Sequence, residues 1–268
     1  MPNALPELTF GFSPCPNDTF AFHALAHGVV EAPFRIRPVL LDIEELNRRA
    51  HEGAFDLTKL SVGAFAAVGE RYRLLRSGGA LGKGVGPLVV TRTPQTLGQA
   101  VRGRVAIPGK ETTAYRLLRL AAPSLADVTE VRYDRILRAV ASGEFDAGLI
   151  IHESRFTYHE HGLHKAMDLG DWWEHETGLP VPLAGICIRA SLAPTFADAA
   201  ERAIRESVQY AFDHPEASRD YVRAHAQELS AEVCAQHIAL YVNDFSLDVG
   251  DDGRRAIQRL VGAAPEAR

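Results

Sequence analysis

Four times the chain repeats one local pattern: a short apolar run ends in a small polar cluster, and a helix-like segment follows. "LTFGF" leads through "SPCPND" into "TFAFHALAHG". "FDLTKL" leads through Ser61 into "VGAFAAVGERY". "RVAIP" leads through "GKETT" into "AYRLLRL", and "FDAGLII" leads into "HESRF". Strands alternating with helices predict parallel βα units and an α/β fold. In such sheets ligands gather beyond the carboxyl ends of the strands, where all four polar clusters sit. A length of 268 residues suits one large domain or two small ones.

Between the second and third repeats lies the most glycine-rich stretch, "SGGALGKGVGPLVVTR". It is not a phosphate loop. A Walker motif needs Ser or Thr after the lysine, and Lys83 is followed by Gly84; a dinucleotide fingerprint from Gly84 needs glycine where Val89 stands. The stretch reads as a hinge or crossing between two lobes, with "LAGICIRA" (183–190) as the return crossing. These crossings divide the chain into a first lobe of residues 1–91 and 189–268 and a second of residues 92–188. From Pro194 the pattern is helical: "ADAAERAIRESVQYAF", then, after Pro215, "SRDYVRAHAQEL" and "AEVCAQHIALYV". No sequence repeats or low-complexity tracts occur. The formal net charge of −5 argues against a nucleic-acid surface. It leaves room for a local cationic pocket and an anionic small ligand. Cys15, Cys187 and Cys234 are dispersed and odd in number, which reads as reduced thiols in a cytoplasmic protein. "MPNALPELTF" lacks the marks of a signal peptide, and no apolar run approaches the roughly 20 residues of a membrane span.

The four clusters supply the candidate chemistry. Pro14 and Pro16 stiffen the loop around Cys15 and remove backbone donors, so Cys15 is read as a small side chain in a shaped loop and not as a nucleophile. Asn17 and Asp18 suit helix capping and ligand contact equally well. Lys59 offers a positive charge in an apolar context, and Ser61 stands where an N-cap belongs. Thr112 and Thr113 mark a helix start, where free N–H groups favour an anion; two adjacent threonines exceed what one cap needs, so a carboxylate or polyol site is expected there. His152 ends the apolar run "AGLII", and a neutral imidazole facing the cleft is a competent base. A structural histidine fits equally well. Glu153 and Arg155 flank it, to orient it or to pair with each other. No HExxH occurs: His152, His159 and His175 precede glutamates, but Phe156, Leu163 and Leu179 fill the fifth position. His159, His161 and His164 read as a polar surface loop, Trp172 and Trp173 as packing or a cleft rim, and no metal site is expected.

Together "GFSPCPNDTFAFHAL", "LTKLS", "SGGALGKGVGPLVV", "TTAY", "VRYDRI", "AGLIIHESRFTY" and "NDFSLDVG" resemble the 1,4-dihydroxy-6-naphthoate synthases of the futalosine route to menaquinone. The match is long and collinear, from about Thr9 to Gly250. The resemblance implies a two-lobed fold like a type II periplasmic binding protein, with the ligand between the lobes. It implies a carbon–carbon lyase that converts cyclic dehypoxanthinyl futalosine without metal or organic cofactor. It puts the proton acceptor on His152 and substrate contacts on Lys59, Leu60 and Ser61, and on Thr112, Thr113 and Ala114, with Asn17 and Asp18 beside them. The partner implied is a small carboxylate, with no nucleic acid and no membrane insertion. Two other readings share the fold: a solute-binding protein, cytosolic or exported, and chorismate dehydratase of the same pathway.

Overall fold

The structure is a computed structural model, and it describes residues 5–226 and 230–262. In chain order the first elements are β1 (Glu7–Phe12), α1 (Pro16–Ala26), β2 (Arg35–Leu40), α2 (Ile43–Ala50), β3 (Leu57–Ser61), α3 (Val62–Val68), β4 (Tyr72–Leu74) and β5 (Ala80–Gly82). The chain then runs through β6 (Leu88–Thr91), α4 (Leu97–Ala100), β7 (Val105–Ile107), α5 (Thr113–Ala121), β8 (Val128–Glu130), α6 (Tyr133–Ala141) and β9 (Ala147–Ile150). After α7 (Ser154–Thr157) and a 3-10 turn (Tyr158–His161) come β10 (His164–Asp168), α8 (Leu169–Thr177) and β11 (Val181–Arg189). Helices α9 (Pro194–Asp213), α10 (Arg219–His225), α11 (Ala231–Tyr241), α12 (Asp244–Leu247) and α13 (Gly250–Gly262) complete the described chain.

The strands form two separate sheets. The first has the order β2-β1-β3-β11-β4, with β5 also paired to β11; the second, read from its β8 edge, is β8-β7-β9-β6-β10. The two orders are the same pattern. In each, three parallel strands are joined by helical crossovers, and a fourth strand running the other way separates them from a fifth. A topological repeat is therefore present where no sequence repeat is visible. The expected parallel units form, with one antiparallel strand in each sheet as the addition.

That antiparallel strand arrives from the other half of the chain, and it moves both expected lobe boundaries. β6, assigned to the first lobe by the boundary at 91, pairs with β9 and β10 in the second sheet. β11, expected as the return crossing and mostly in the second lobe, lies between β3 and β4 in the first sheet. The crossings are short and precede each strand, at residues 83–87 and 178–180. Both strands are mostly apolar because they are buried on two faces, and an apolar run does not reveal which sheet it joins.

Each lobe is held by its own core. Phe10 and Phe12 project from the same face of β1 and meet Phe22 of α1, with ring centroids 4.9–5.5 Å apart. In the second lobe Val90, Ala106, Ile136, Val140 and Ile150 pack α6 on the sheet. A third cluster joins the lobes, running from Val62 and Leu81 through Leu117 and Trp173 to Ile257 and Leu260. Trp173 is packing, as expected, and its indole N–H donates to the Pro180 carbonyl at 3.0 Å. The helical tail matches expectation for α9 and α11, and for α10 as far as Ala226; the end of "SRDYVRAHAQEL", like both chain ends of the first lobe, lies outside the described residues. No helix among the described residues is long and apolar enough to cross a membrane.

Candidate functional site

The carboxyl ends of β1, β3, β7 and β9 converge on a cleft between the sheets, with about 610 Å³ of empty space partly open to solvent. All four sequence clusters contribute to its wall: Ser13 and Asn17, Lys59 and Ser61, Thr112 to Ala114, and His152. Two expected residues stand elsewhere. Leu60 is buried in a core cluster with Val68 and Tyr72, because side chains alternate along β3 and its neighbours Lys59 and Ser61 take the cleft face. Asp18 is buried one layer behind the wall.

Asp18 anchors that layer. The N-cap of α1 is Cys15, with Pro16 in the first turn, so Asn17 and Asp18 lie inside the helix and are not caps. One Asp18 oxygen accepts from the Ser13 N–H at 3.0 Å and the Ser13 hydroxyl at 2.6 Å. The other accepts from Asn17 Nδ2 at 2.8 Å and forms a buried ion pair with Lys59. Because the Asn17 amide nitrogen faces a carboxylate, its oxygen faces His237, 2.8 Å from Nε2. A carbonyl only accepts, so Nε2 carries the proton and Nδ1 of the neutral ring holds a bare lone pair. His237 Nδ1 is buried, makes no hydrogen bond and lies 4.0 Å from a Glu153 carboxylate oxygen.

The hydroxyls of the other clusters are more committed than their spacing suggests. Ser61 stands at the N-cap of α3 without capping it. Its oxygen accepts from Asn47 Nδ2 at 3.0 Å, which leaves its proton for the cleft. Thr112 is an ordinary cap, accepting from the Tyr115 N–H at 3.1 Å and donating to the Gly109 carbonyl at 2.8 Å. The Thr113 hydroxyl spans the lobes, donating to the Leu183 carbonyl at 2.6 Å and accepting from the Gly63 N–H at 3.0 Å. A Cβ on Gly63 would lie 3.1 Å from the Thr112–Thr113 backbone, so glycine is what lets α3 approach α5 this closely. The donors that α5 presents to the cleft are therefore the N–H groups of Thr113 and Ala114, which have no intrahelical carbonyl to bond.

His152 completes the lining. Its backbone has φ 57°, the one positive value among described non-glycine residues, a conformation that costs of order 1–3 kcal/mol and persists where the surroundings impose it. The edge of the Tyr133 ring packs on it with centroids 4.9 Å apart, and the His237 ring lies 6.2 Å away. Nε2 is buried without a hydrogen-bond partner. Burial first, then the Lys59 charge, push its pKa down to about 4, against the opposing pull of Asp18. His237 is lowered well below the histidine range by burial, His152 and Lys59. Both rings are thus neutral acceptors near pH 7. Arg155 does not pair with Glu153; it donates to the Gly86 carbonyl at 2.6 Å and to Asp168 at 3.1 Å, tying the crossing segment to the second lobe. Cys15 is buried, and burial and Glu153 push its thiol well above its usual range, which fits its reading as unreactive at neutral pH. His159 and His161 are exposed on the 3-10 turn before β10, and His164, exposed as well, is the first residue of β10 rather than part of that loop.

Sequence reasoning missed His237 and Tyr133. His237 sat in a segment read only as helical; the buried pair His237 and Tyr241, four apart on α11, is the pattern that marks its inward face.

The chain matches the menaquinone biosynthesis family model over residues 8–266. It is 60% identical to a 1,4-dihydroxy-6-naphthoate synthase of Thermus thermophilus, over 97% of this chain and 94% of that protein. Among solved structures, a protein of Archaeoglobus fulgidus is 35% identical and superposes with a TM-score of 0.90 over 96% of both chains. The periplasmic aliphatic sulphonate binding protein of Escherichia coli, 16% identical, superposes at 0.65 over 96% of this chain and 85% of its own, so the fold is periplasmic-binding-protein-like.

Proposed function

The chain belongs to the menaquinone biosynthesis family, and from that premise we propose that it is a 1,4-dihydroxy-6-naphthoate synthase, a carbon–carbon lyase acting on cyclic dehypoxanthinyl futalosine in the cytoplasm with His152 as general base. The observation that carries the base assignment is His152 just beyond β9: a ring kept neutral by its surroundings, with Nε2 buried and committed to no hydrogen bond. The same cleft offers donors suited to the substrate carboxylate: the Lys59 ammonium, the Ser61 hydroxyl and the Thr113 and Ala114 N–H groups. In the reaction His152 takes the proton of a hydroxyl on the sugar-derived ring. The O–H electron pair becomes a carbonyl bond, and the adjacent carbon–carbon bond breaks. Its electrons pass into the enolate that becomes the aromatic naphthol, and a proton returns to that oxygen. A positioned base contributes on the order of 10²–10⁴-fold, and orientation and enclosure between the lobes supply the rest.

The test is incubation with the cyclic substrate, following the naphthoate by its absorbance. Wild-type protein should form it, and His152→Ala should lower kcat by at least about a hundredfold while circular dichroism stays native. Near wild-type turnover in that variant would remove His152 from the mechanism. Turnover of chorismate in place of the cyclic compound would move the activity to the dehydratase step, and tight binding without turnover of either would make the protein a solute-binding protein.

A further inference from the structure

One buried acceptor on the cleft wall has no part in the reaction as written. His237 lines the cleft from α11, is 1% exposed, and its Nδ1 makes no hydrogen bond. An unmade bond at a buried acceptor is costly, so such an atom calls for a donor.

The surroundings hold this ring in one state. Asp18, ion-paired with Lys59, accepts from the Asn17 amide at 2.8 Å. That turns the Asn17 carbonyl towards His237, where it takes the Nε2 proton at 2.8 Å and leaves Nδ1 as the acceptor. Tyr241 packs on the ring with centroids 4.6 Å apart, and Phe156 lies at 6.5 Å. Burial keeps the imidazole neutral. A ring fixed in tautomer and in place is pre-organised for a ligand. The His152 ring lies 6.2 Å away. With hydrogen bonds of about 2.8 Å to each ring, two neighbouring hydroxyls of one molecule can span that separation.

We infer that His237 is a substrate-contact residue that selects for a vicinal diol: its Nδ1 accepts from the hydroxyl next to the one that His152 deprotonates. The inference rests on the lyase reading and deepens it. No proton is transferred in this contact. It holds the diol so that the reacting O–H faces His152. A ligand without the second hydroxyl leaves Nδ1 buried and unmet, and a site built to bind a hydroxyl rejects the analogue lacking it far more strongly than it would a missing methylene. The buried Lys59–Asp18–Asn17 layer then acts through His237, by setting its tautomer.

Steady-state kinetics on the cyclic substrate, and on its analogue lacking the hydroxyl beside the reacting one, test this. Wild-type protein should lose about tenfold to a hundredfold in kcat/KM on the deoxy analogue. His237→Phe keeps a ring and removes both nitrogens. It should lose a similar factor on the full substrate, chiefly through KM, with circular dichroism unchanged. Moving that variant to the deoxy analogue should cost no more than about twofold again, since the hydroxyl and Nδ1 act as one pair. Losses that multiply in full, or a His237→Phe variant with wild-type KM, overturn the contact. The wild-type comparison needs no substitution, so it decides the matter even where His237→Phe fails to fold: equal kcat/KM on the two compounds overturns the contact while the lyase reading stands. Absence of wild-type turnover on the full substrate overturns the lyase reading, and this contact with it.

Discussion

At the scale of the residue, the cleft is governed by a few buried charges and lone pairs. Because His152 is depressed to about 4, it stays unprotonated through the neutral range. Its contribution to kcat/KM should hold from pH 8 down to about 5 and then fall, measured in overlapping buffers. The same depression has a stability consequence. Between its unfolded value near 6.5 and about 4 the unfolded chain binds the extra proton, so stability falls with pH across that window and levels off below it, by on the order of 3 kcal/mol from His152 alone. Denaturant titrations at pH 7, 5.5 and 4.5 check this, and His152→Gln should flatten that part of the profile. Asp18→Asn would leave the Lys59 ammonium buried without a counter-charge, an expected loss of about 3–5 kcal/mol in denaturant unfolding. His152, Lys59 and Ser61 were legible because each ends or follows an apolar run in a βα unit. The threonine hydroxyls were misread, since only the folded chain shows that Leu183, Gly63, Gly109 and Tyr115 use them. His237 was hidden because it reaches the cleft from α11, which belongs to none of the four repeats.

At the scale of the element, the crossing segments decide how the lobes meet. Gly86 lies where the first crossing passes the start of α8, and a Cβ there would stand 2.5 Å from the Gly170 backbone. Neither side is a flexible side chain, so Gly86→Ala forces a backbone shift. The expected loss is about 1–3 kcal/mol, read as a lower midpoint in thermal unfolding, with turnover reduced because Gly86 also lines the cleft. The glycine-rich stretch was recognisable as a crossing from its composition. Its end at β6 was not, because local sequence carries no information on pairing with β9, which lies some sixty residues later.

At the scale of the whole molecule, the lobes touch beyond their two crossings. Arg116 of α5 donates to the Leu260 and Val261 carbonyls at the end of α13, at 2.8 and 2.9 Å. At the opposite rim Glu44 of α2 accepts from the Glu111 N–H at 3.3 Å. Burial, with the charges of Glu130 and Glu111, raises Glu44 to about 7 against that hydrogen bond. A carboxyl raised in the folded state loses stability as pH climbs from its unfolded value near 4.5 to about 7. Glu44→Gln should therefore be more stable than wild type at pH 8, by roughly 1–3 kcal/mol, with the difference shrinking towards pH 4.5 in chemical denaturation. The exchange of β6 and β11 has a consequence for the nascent chain. The second sheet uses residues 88–168 alone, whereas β3 and β4 have no shared neighbour until β11 arrives. During synthesis the half encoded first must wait, its strand edges open, until Arg189 clears the ribosome, while the half encoded second can finish before it.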